Sequence, residues 1–275
     1  MCIRDRLYII RVLLKMISVI MGTYNGRNRI DKAISSIKKQ TYTDWELIIC
    51  DDCSSDGTYE YLVNKYKDEP KIIITQLQKN SGLSSALNRC IELSHGEYLA
   101  RMDDDDYSHP DRFEKQLNML IEHPEIALVS CNINYFDDEG VFGCTKECAI
   151  VRSKEDIYLG KSFVHPTVMI RKAALVNVGC YTVSKLTFRG QDYDLWCKLY
   201  HAGYKGLVMA DILFDYYESR QSIKNRKIRY RLNHIRVKLA WRKKMGLPFI
   251  YNLAICHDIA VLLSLIHIWT LPTIA

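Results

Sequence analysis

Between Ile17 and Met102, short apolar runs alternate with segments of helical periodicity, and this alternation leaves few architectures open. Ile17-Ser18-Val19-Ile20-Met21, Trp45-Glu46-Leu47-Ile48-Ile49-Cys50, Ile72-Ile73-Ile74 and Tyr98 to Met102 read as strands, being short and rich in β-branched or aromatic side chains. Between them, Arg29 to Lys39 places Ile30, Ala33, Ile34 and Ile37 on one helical face, and Tyr59 to Tyr66 and Leu83 to Leu93 read as two further helices. Apolar strands joined by helices predict a parallel, doubly wound α/β sheet, because the crossover helices must cover both faces. In such sheets ligands collect beyond the carboxyl ends of the strands.

One of those strand ends carries Asp103-Asp104-Asp105-Asp106. Four adjacent like charges oppose a compact fold unless something compensates them. A divalent cation, Mg²⁺ or Mn²⁺, would do so, since hard oxygen ligands suit both ions and either can also hold a substrate's phosphate oxygens. The other reading is a solvated acidic turn capping the helix expected near Pro110. Position after a strand favours the cation.

With 275 residues, 48% of them hydrophobic, the chain can bury one large core, or one core with a small appendage. The 10 cysteines sit singly in strand-like and helix-like runs, which reads as reduced thiols in a reducing compartment. Cys50 and Cys53 form a C-x-x-C without a second pair, so neither zinc nor redox chemistry is expected there. Residues 1–15 mix Arg4, Asp5, Arg6 and Arg11 with an apolar run, fitting neither a signal peptide nor a spanning helix, and Met16 reads as the initiator. Residues 264–275 have no periodicity, and both ends are expected to lie outside the fold as non-native or disordered sequence.

The remaining strand ends are also rich in hydrogen-bonding groups. Gly22-Thr23-Tyr24-Asn25-Gly26 lets a ligand approach the main chain closely, yet it lacks both G-x-G-x-x-G and the lysine of a phosphate-binding loop. Dinucleotide binding and ATP hydrolysis are therefore disfavoured. Asp51 and Asp52 could accept hydrogen bonds from a base or a ribose, while Ser54, Ser55 or Asp56 could cap the following helix.

Taken in order, G-T-Y-N-G from Gly22, I-I-C-D-D-C-S-S-D-G-T from Ile48, N-S-G-L-S-S-A-L-N from Asn80, G-E-Y-L-A-R-M-D-D-D-D from Gly96, H-P-T-V-M-I-R-K from His165 and G-Q-D-Y-D-L-W-C-K-L from Gly190 resemble a family 2 glycosyltransferase, over about Met16 to Tyr217. The resemblance implies the GT-A fold, a Rossmann-like nucleotide-binding half with a mostly parallel sheet (about 16–106) joined to a smaller acceptor half (about 107–217), and inversion at the anomeric carbon. It implies that Thr23, Tyr24 and Asn25 contact the nucleotide and that Asp51 or Asp52 reads uracil or ribose. Asn80 and Gly82 would lie beside the nucleotide and sugar. Asp103 and Asp105 match the D-x-D pair that holds the metal on the donor's diphosphate, with Asp104 between them, and Asp192 matches the catalytic base. Gln191 departs from the commoner Glu at that position and removes one negative charge.

Outside the resemblance, Asp192 could be a helix cap and Asp194 a first-turn carboxylate favoured by the helix dipole. His165, beside Pro166, could touch the diphosphate or the metal, or serve structure alone. Leu195, Trp196 and Leu199 stand at helical spacing and read as core.

A last segment differs in kind. Residues 218–263 form an expected basic and apolar helical extension. Ser219 to His257 holds 11 of the 38 Lys and Arg and none of the 32 Asp and Glu, so the net charge of +6 belongs to this segment and the rest is net acidic. Ile228, Leu232, Ile235 and Leu239 recur at helical spacing through it, predicting a basic amphipathic helix. An anionic membrane surface is the expected partner and nucleic acid is not, since no reader motif accompanies the charge. Packing on the core with a solvated basic side is the other reading. Ile250 to Ile268 contains His257, Asp258 and His267 and is too polar to span a membrane. The reading as a whole is a metal-dependent transferase in the cytoplasm, peripheral at the inner face of the cell membrane, moving sugar from a uridine diphosphate donor to a saccharide or lipid-linked acceptor. The alternative is a binding or scaffold protein that keeps the fold without turnover, for which Gln191 is the only argument.

Overall fold

A computed structural model of the chain describes residues 15–218, 228–256 and 259. The expectations for residues 1–14 and 264–275, and part of those for the basic segment and for Ile250 to Ile268, fall outside the described residues.

The first half follows the alternation in the sequence. Strands β1 (Ile17–Thr23), β2 (Trp45–Asp51), β3 (Ile72–Gln76) and β4 (Tyr98–Arg101) pair in parallel in the order β3-β2-β1-β4. Helices α1 (Ile30–Lys38), α2 (Thr58–Tyr66) and α3 (Leu83–Leu93) connect them. Both faces are covered, which is why these strands are apolar throughout rather than alternating. Val19, Met21, Leu47 and Ile49 belong to one buried cluster with Ile34 and Ile37 of α1, whereas Ile20 and Ile48 belong to the opposite cluster with Leu87 and Ile91 of α3.

The second half continues the same sheet. After β5 (Tyr107–Ser108) and α4 (Arg112–Glu122) come β6 (Ile126–Asp137), β7 (Gly140–Cys144), β8 (Ile150–Val151), α5 (Lys154–Leu159), β9 (Met169–Arg171), α6 (Lys172–Asn177), α7 (Gln191–His201), β10 (Lys205–Tyr217) and α8 (Ile228–Lys244). The order extends as β4-β9-β6-β10-β5, antiparallel at β4-β9, β9-β6 and β10-β5 and parallel at β6-β10. The stretch around Pro166 is a 3₁₀ turn, His165–Thr167, followed by β9. Pro166 supplies no N–H for a ladder and its fixed φ suits the turn.

Arg112, fully buried at the start of α4, joins the two halves: its Nη2 donates to Arg101 O at 2.8 Å and to Pro166 O at 3.3 Å. Burial lowers its pKa only to about 10, so it stays charged at neutral pH.

The basic helix is present as α8, but rotated from the expected face. Ile235, Lys238, Trp241 and Met245 are buried, and Leu239 is half exposed. The face turned inward is the one whose Trp241 indole N–H donates to Asp194 and whose Lys238 ammonium lies 5.6 Å from the centre of the Tyr158 ring. These anchors outweigh a purely aliphatic stripe. Leu195, Trp196 and Leu199 are core, as their spacing predicts.

Candidate functional site

Three parallel strands end on one side of the sheet, and the loops after them are tied to one another. After β1, Asn25 takes a left-handed conformation (φ 53°), its N–H donating to Ser54 Oγ at 2.8 Å and its Oδ1 accepting from the Ser55 N–H at 3.0 Å. The Gly26 N–H donates to Thr58 Oγ1 at 3.0 Å. A side chain at Gly26 would collide with the Thr23 hydroxyl and the Asp104 carboxylate, so glycine is what lets these loops close up. Thr23 is buried, whereas the Tyr24 ring stands 45% exposed and free to meet a ligand.

The two carboxylates after β2 have structural partners. Asp51 is fully buried and accepts from the Ser54 N–H, the Ser54 hydroxyl and Gln76 Nε2. Asp52 holds the N–H groups of Ser81 and Gly82 at 2.7 and 2.8 Å, which fixes the loop containing exposed Asn80 and brings Gly82 to φ 87° ahead of α3. Burial raises the Asp52 pKa against the pull of those two donors. None of Ser54, Ser55 and Asp56 is the N-cap of α2, which is Gly57; Asp56, just before it, accepts from the Thr58 N–H at 3.0 Å.

The acid run divides according to the turn that follows β4. Asp104 points toward the first loop, where it accepts from the Thr23 hydroxyl and from Arg29 Nε and Nη2 at 3.0 and 3.2 Å. Asp103, Asp105 and Asp106 point the other way, with one carboxylate oxygen of each within 4.8 Å of the others. The run does not cap a helix: β5 intervenes, and the residue preceding α4 is Asp111. Asp106 was not singled out by spacing, because a D-x-D reading stops one residue short of it.

Electrostatics of this group are strained. Asp103 pairs with Arg101, whose guanidinium is almost fully buried and whose Nε has no acceptor among the described residues. Asp106 is 1% exposed; its Oδ1 accepts from the Tyr217 N–H at 2.8 Å, while Oδ2 has no partner among the described residues. Burial and the neighbouring Asp103 push the Asp105 pKa up to about 7, and burial raises those of Asp103 and Asp106 as well. Three converging carboxylates that resist ionisation, with one buried oxygen lacking any donor, fit a divalent cation bound by oxygen ligands.

The second half closes over this group from the far side. His165 Nε2 meets Tyr181 Oη at 2.8 Å, and Tyr181 is held by reciprocal hydrogen bonds between its backbone and the Asn88 amide. Burial and the positive charge of Arg101 keep the His165 imidazole neutral. Burial also raises the Tyr181 pKa, and Asp192 and Asp103 reinforce the shift, so carboxylates from both halves act on the same hydroxyl. Asp192 lies in the first turn of α7 and is partly exposed, while Asp194 is buried and accepts from Thr182 Oγ1 and Trp241 Nε1 at 2.6 and 2.8 Å. Arg29 and Tyr181 are site residues that carry no motif signal; Arg101 and Asp106 lie inside the motif that runs from Gly96, but spacing gave neither a role of its own.

The pattern of Glycosyl transferase family 2 matches residues 18–177, which carry the loops after β1, β2 and β4 and His165 but neither Tyr181 nor α7. The chain belongs to this family. A second pattern, Glycosyl transferase family group 2, matches residues 98–275. EpsE of Bacillus subtilis (strain 168) is 34% identical over 236 residues, covering 84% of each chain. The amylovoran biosynthesis glycosyltransferase AmsE of Erwinia amylovora is 26% identical, covering 83% of this chain and 87% of its own. WfgD of Escherichia coli, a UDP-Glc:alpha-D-GlcNAc-diphosphoundecaprenol beta-1,3-glucosyltransferase, is 28% identical over 67% of this chain and 69% of its own. Among solved structures, S. aureus TarS 1-349 with UDP-GlcNAc superimposes with a TM-score of 0.66 at 20% identity, covering 84% of this chain and 70% of TarS. The mannosyltransferase PcManGT of Pyrobaculum calidifontis, solved with GDP-Man and Mn²⁺, gives 0.64 at 17% identity, covering 94% of this chain and 76% of its own. These likenesses show the GT-A fold for this family 2 glycosyltransferase.

The raised Asp105 pKa fixes the sign of a pH dependence. The folded state holds a proton that the unfolded state releases near pH 3.9, so without metal this group costs stability increasingly as pH rises toward about 7. Asp105→Asn in EDTA should leave stability nearly unchanged at pH 4.5 and raise it at pH 8 by on the order of 1–2 kcal/mol, allowing for solvent screening. Denaturant melts at both pH values check this, and an equal effect at each would contradict it.

Proposed function

We propose that this glycosyltransferase moves a sugar, with inversion, from a uridine diphosphate donor to a saccharide or lipid-linked acceptor in cell-surface glycan synthesis. The observation that carries the reading is the convergence of the Asp103, Asp105 and Asp106 carboxylates beyond the end of β4, with the charges of Asp103 and Asp192 both acting on the buried Tyr181 hydroxyl. Support comes from TarS, which binds UDP-GlcNAc, from AmsE, which serves amylovoran biosynthesis, and from WfgD, which uses a UDP sugar and a diphosphoundecaprenol acceptor.

Each group has a task. The nucleotide lies across the strand ends, with the Tyr24 ring and Asn25 beside the base and Asp52 presenting the Gly82 loop to the sugar and phosphates. Spare lone pairs of the Asp52 carboxylate accept from uracil or ribose. Asp103, Asp105 and Asp106 would hold Mg²⁺ or Mn²⁺, which when bound would supply Lewis-acid chemistry to the diphosphate. Arg101 balances the charge of Asp103, and neutral His165 keeps Tyr181 aimed at the same space without adding charge. Asp192 accepts the proton of the acceptor hydroxyl as its oxygen bonds to the anomeric carbon from the face opposite the diphosphate. The carbon to phosphate-oxygen bond breaks, its electron pair leaves with UDP, and the configuration inverts. Gln191 leaves the base carboxylate itself in place.

A lipid-linked acceptor brings the enzyme to an anionic membrane surface. Phe249, Ile250 and Leu253 are exposed beside the basic end of α8, where Lys243 and Lys244 are exposed and the Arg242 guanidinium lies 5.6 Å from the centre of the Phe249 ring. No helix among the described residues is long and apolar enough to cross a membrane.

Asp194 is already engaged in two hydrogen bonds, which supports Asp192 rather than Asp194 as the base. Asp192→Asn should lower kcat by roughly 10²-fold or more while UDP binding is retained, because an amide keeps the shape and cannot take the proton. Asp194→Asn should retain far more turnover. Near-normal release of UDP from a UDP sugar by the Asp192 variant would sink the assignment. For the membrane, vesicles with phosphatidylserine should sediment the enzyme and lose it as salt rises. Equal sedimentation with phosphatidylcholine vesicles would contradict an electrostatic contribution.

A further inference from the structure

We infer that the C-terminal helix α8 is a positioning element for the base, acting through the hydrogen bond from Trp241 to Asp194. This rests on the assignment of Asp192 above. Asp194 follows Asp192 by two residues in the first turn of α7, so the two side chains project about 200° apart around the helix axis. A clamp on Asp194 therefore sets the rotation of the turn and aims Asp192 from the opposite side.

The clamp is closed on both carboxylate oxygens. Trp241 Nε1 donates to Oδ1 at 2.8 Å, and Thr182 Oγ1 donates to Oδ2 at 2.6 Å. Asp194 and Trp241 are each 7% exposed. Lys198, one turn further along α7, reaches Thr182 Oγ1 at 3.3 Å and also donates to Cys180 O. The residue before α7 is Gly190, which has no side chain to cap the helix, so the first turn depends on these lateral bonds.

The same helix holds the loop that leads into the base. Asn233 Nδ2 donates to Lys185 O at 3.2 Å, and within the loop Thr187 Oγ1 lies 2.9 Å from Thr182 O and 3.2 Å from Ser184 O, while the Gly190 N–H donates to Thr187 O at 2.9 Å. Thus α8 grips the 182–194 segment at Lys185 and again at Asp194, bracketing Asp192. Among the described residues, the hydrogen bonds of Asn233, Trp241 and Arg242 go to Lys185, Asp194 and Leu247, not to the ends of β1, β2 or β4, where the nucleotide is proposed to lie. Loss of the clamp should therefore disturb the acceptor's proton transfer and spare the nucleotide. Misplacement of a reacting group by about 1 Å costs as much as 10²-fold in rate.

The test compares Trp241→Phe, Asn233→Ala and Asp192→Asn in the full chain, reading UDP affinity in Mn²⁺ by calorimetry and UDP release from a UDP sugar. Trp241→Phe keeps an aromatic ring in the core and removes the donor. The expected result is UDP affinity within twofold of the parent, donor KM within twofold, and kcat reduced roughly tenfold or more, with Asp192→Asn lower still. Parent-like kcat in Trp241→Phe beside a strong loss in Asp192→Asn overturns the positioning role and leaves the base in place. Parent-like kcat in Asp192→Asn overturns the base and the positioning role with it. Loss of UDP binding in both α8 variants makes the helix a folding element only and also overturns the inference.

Discussion

Four carboxylates must stand side by side at the end of a buried strand, and much of the surrounding structure is a response to their charge. The turn after β4 splits them, sending Asp104 to Arg29 and Thr23 and the other three to a common point. Arg101 pairs with Asp103, yet burial, reinforced by the neighbouring carboxylates, still raises the pKa values of Asp103, Asp105 and Asp106. A strained cluster of this kind persists only where the fold around it is strong enough to hold it.

That fold is a single ten-stranded sheet shared by both halves. Its first half supplies loops braced against one another by Asn25, Asp52 and Gly26, and its second half supplies His165, Tyr181 and Asp192. Arg112 joins the halves beneath the site through Arg101 O and Pro166 O, so the strand that carries the acid run and the turn that carries His165 share one buried donor. Removing it would strand two buried carbonyls, each costing about 1–3 kcal/mol. Pairing of the two halves is therefore a polar matter at the site and an apolar one elsewhere.

The nucleotide-binding half was legible because each of β1 to β4 is a short apolar run with a helix between, a pattern that follows from burial on both faces. The second half was not, since β6 buries Ser130, Asn132 and Thr167's partners among its apolar residues; Asn132 alone bonds Glu147 and Ala210 backbone groups, which no periodicity announces. The acid run was legible as a site, and its membership was not: spacing assumes that alternate residues share a side, whereas the turn after Arg101 brings Asp106 to the side of Asp103 and Asp105. Asp194 and Trp241 lie 47 residues apart, and neither the rotation of α8 nor the role of Asp194 could be read before they were seen in contact.

The proposed chemistry depends on which carboxylates would meet a cation, and titration of Mn²⁺ into the protein with no nucleotide present tests that most directly. Asp106→Asn should weaken Mn²⁺ binding at least tenfold, because it neutralises a buried carboxylate whose Oδ2 lacks a partner among the described residues. Asp104→Asn should change it less than about threefold, since Asp104 faces Arg29 and supplies no ligand atom. The opposite ranking, with Asp104 required and Asp106 dispensable, would contradict the account.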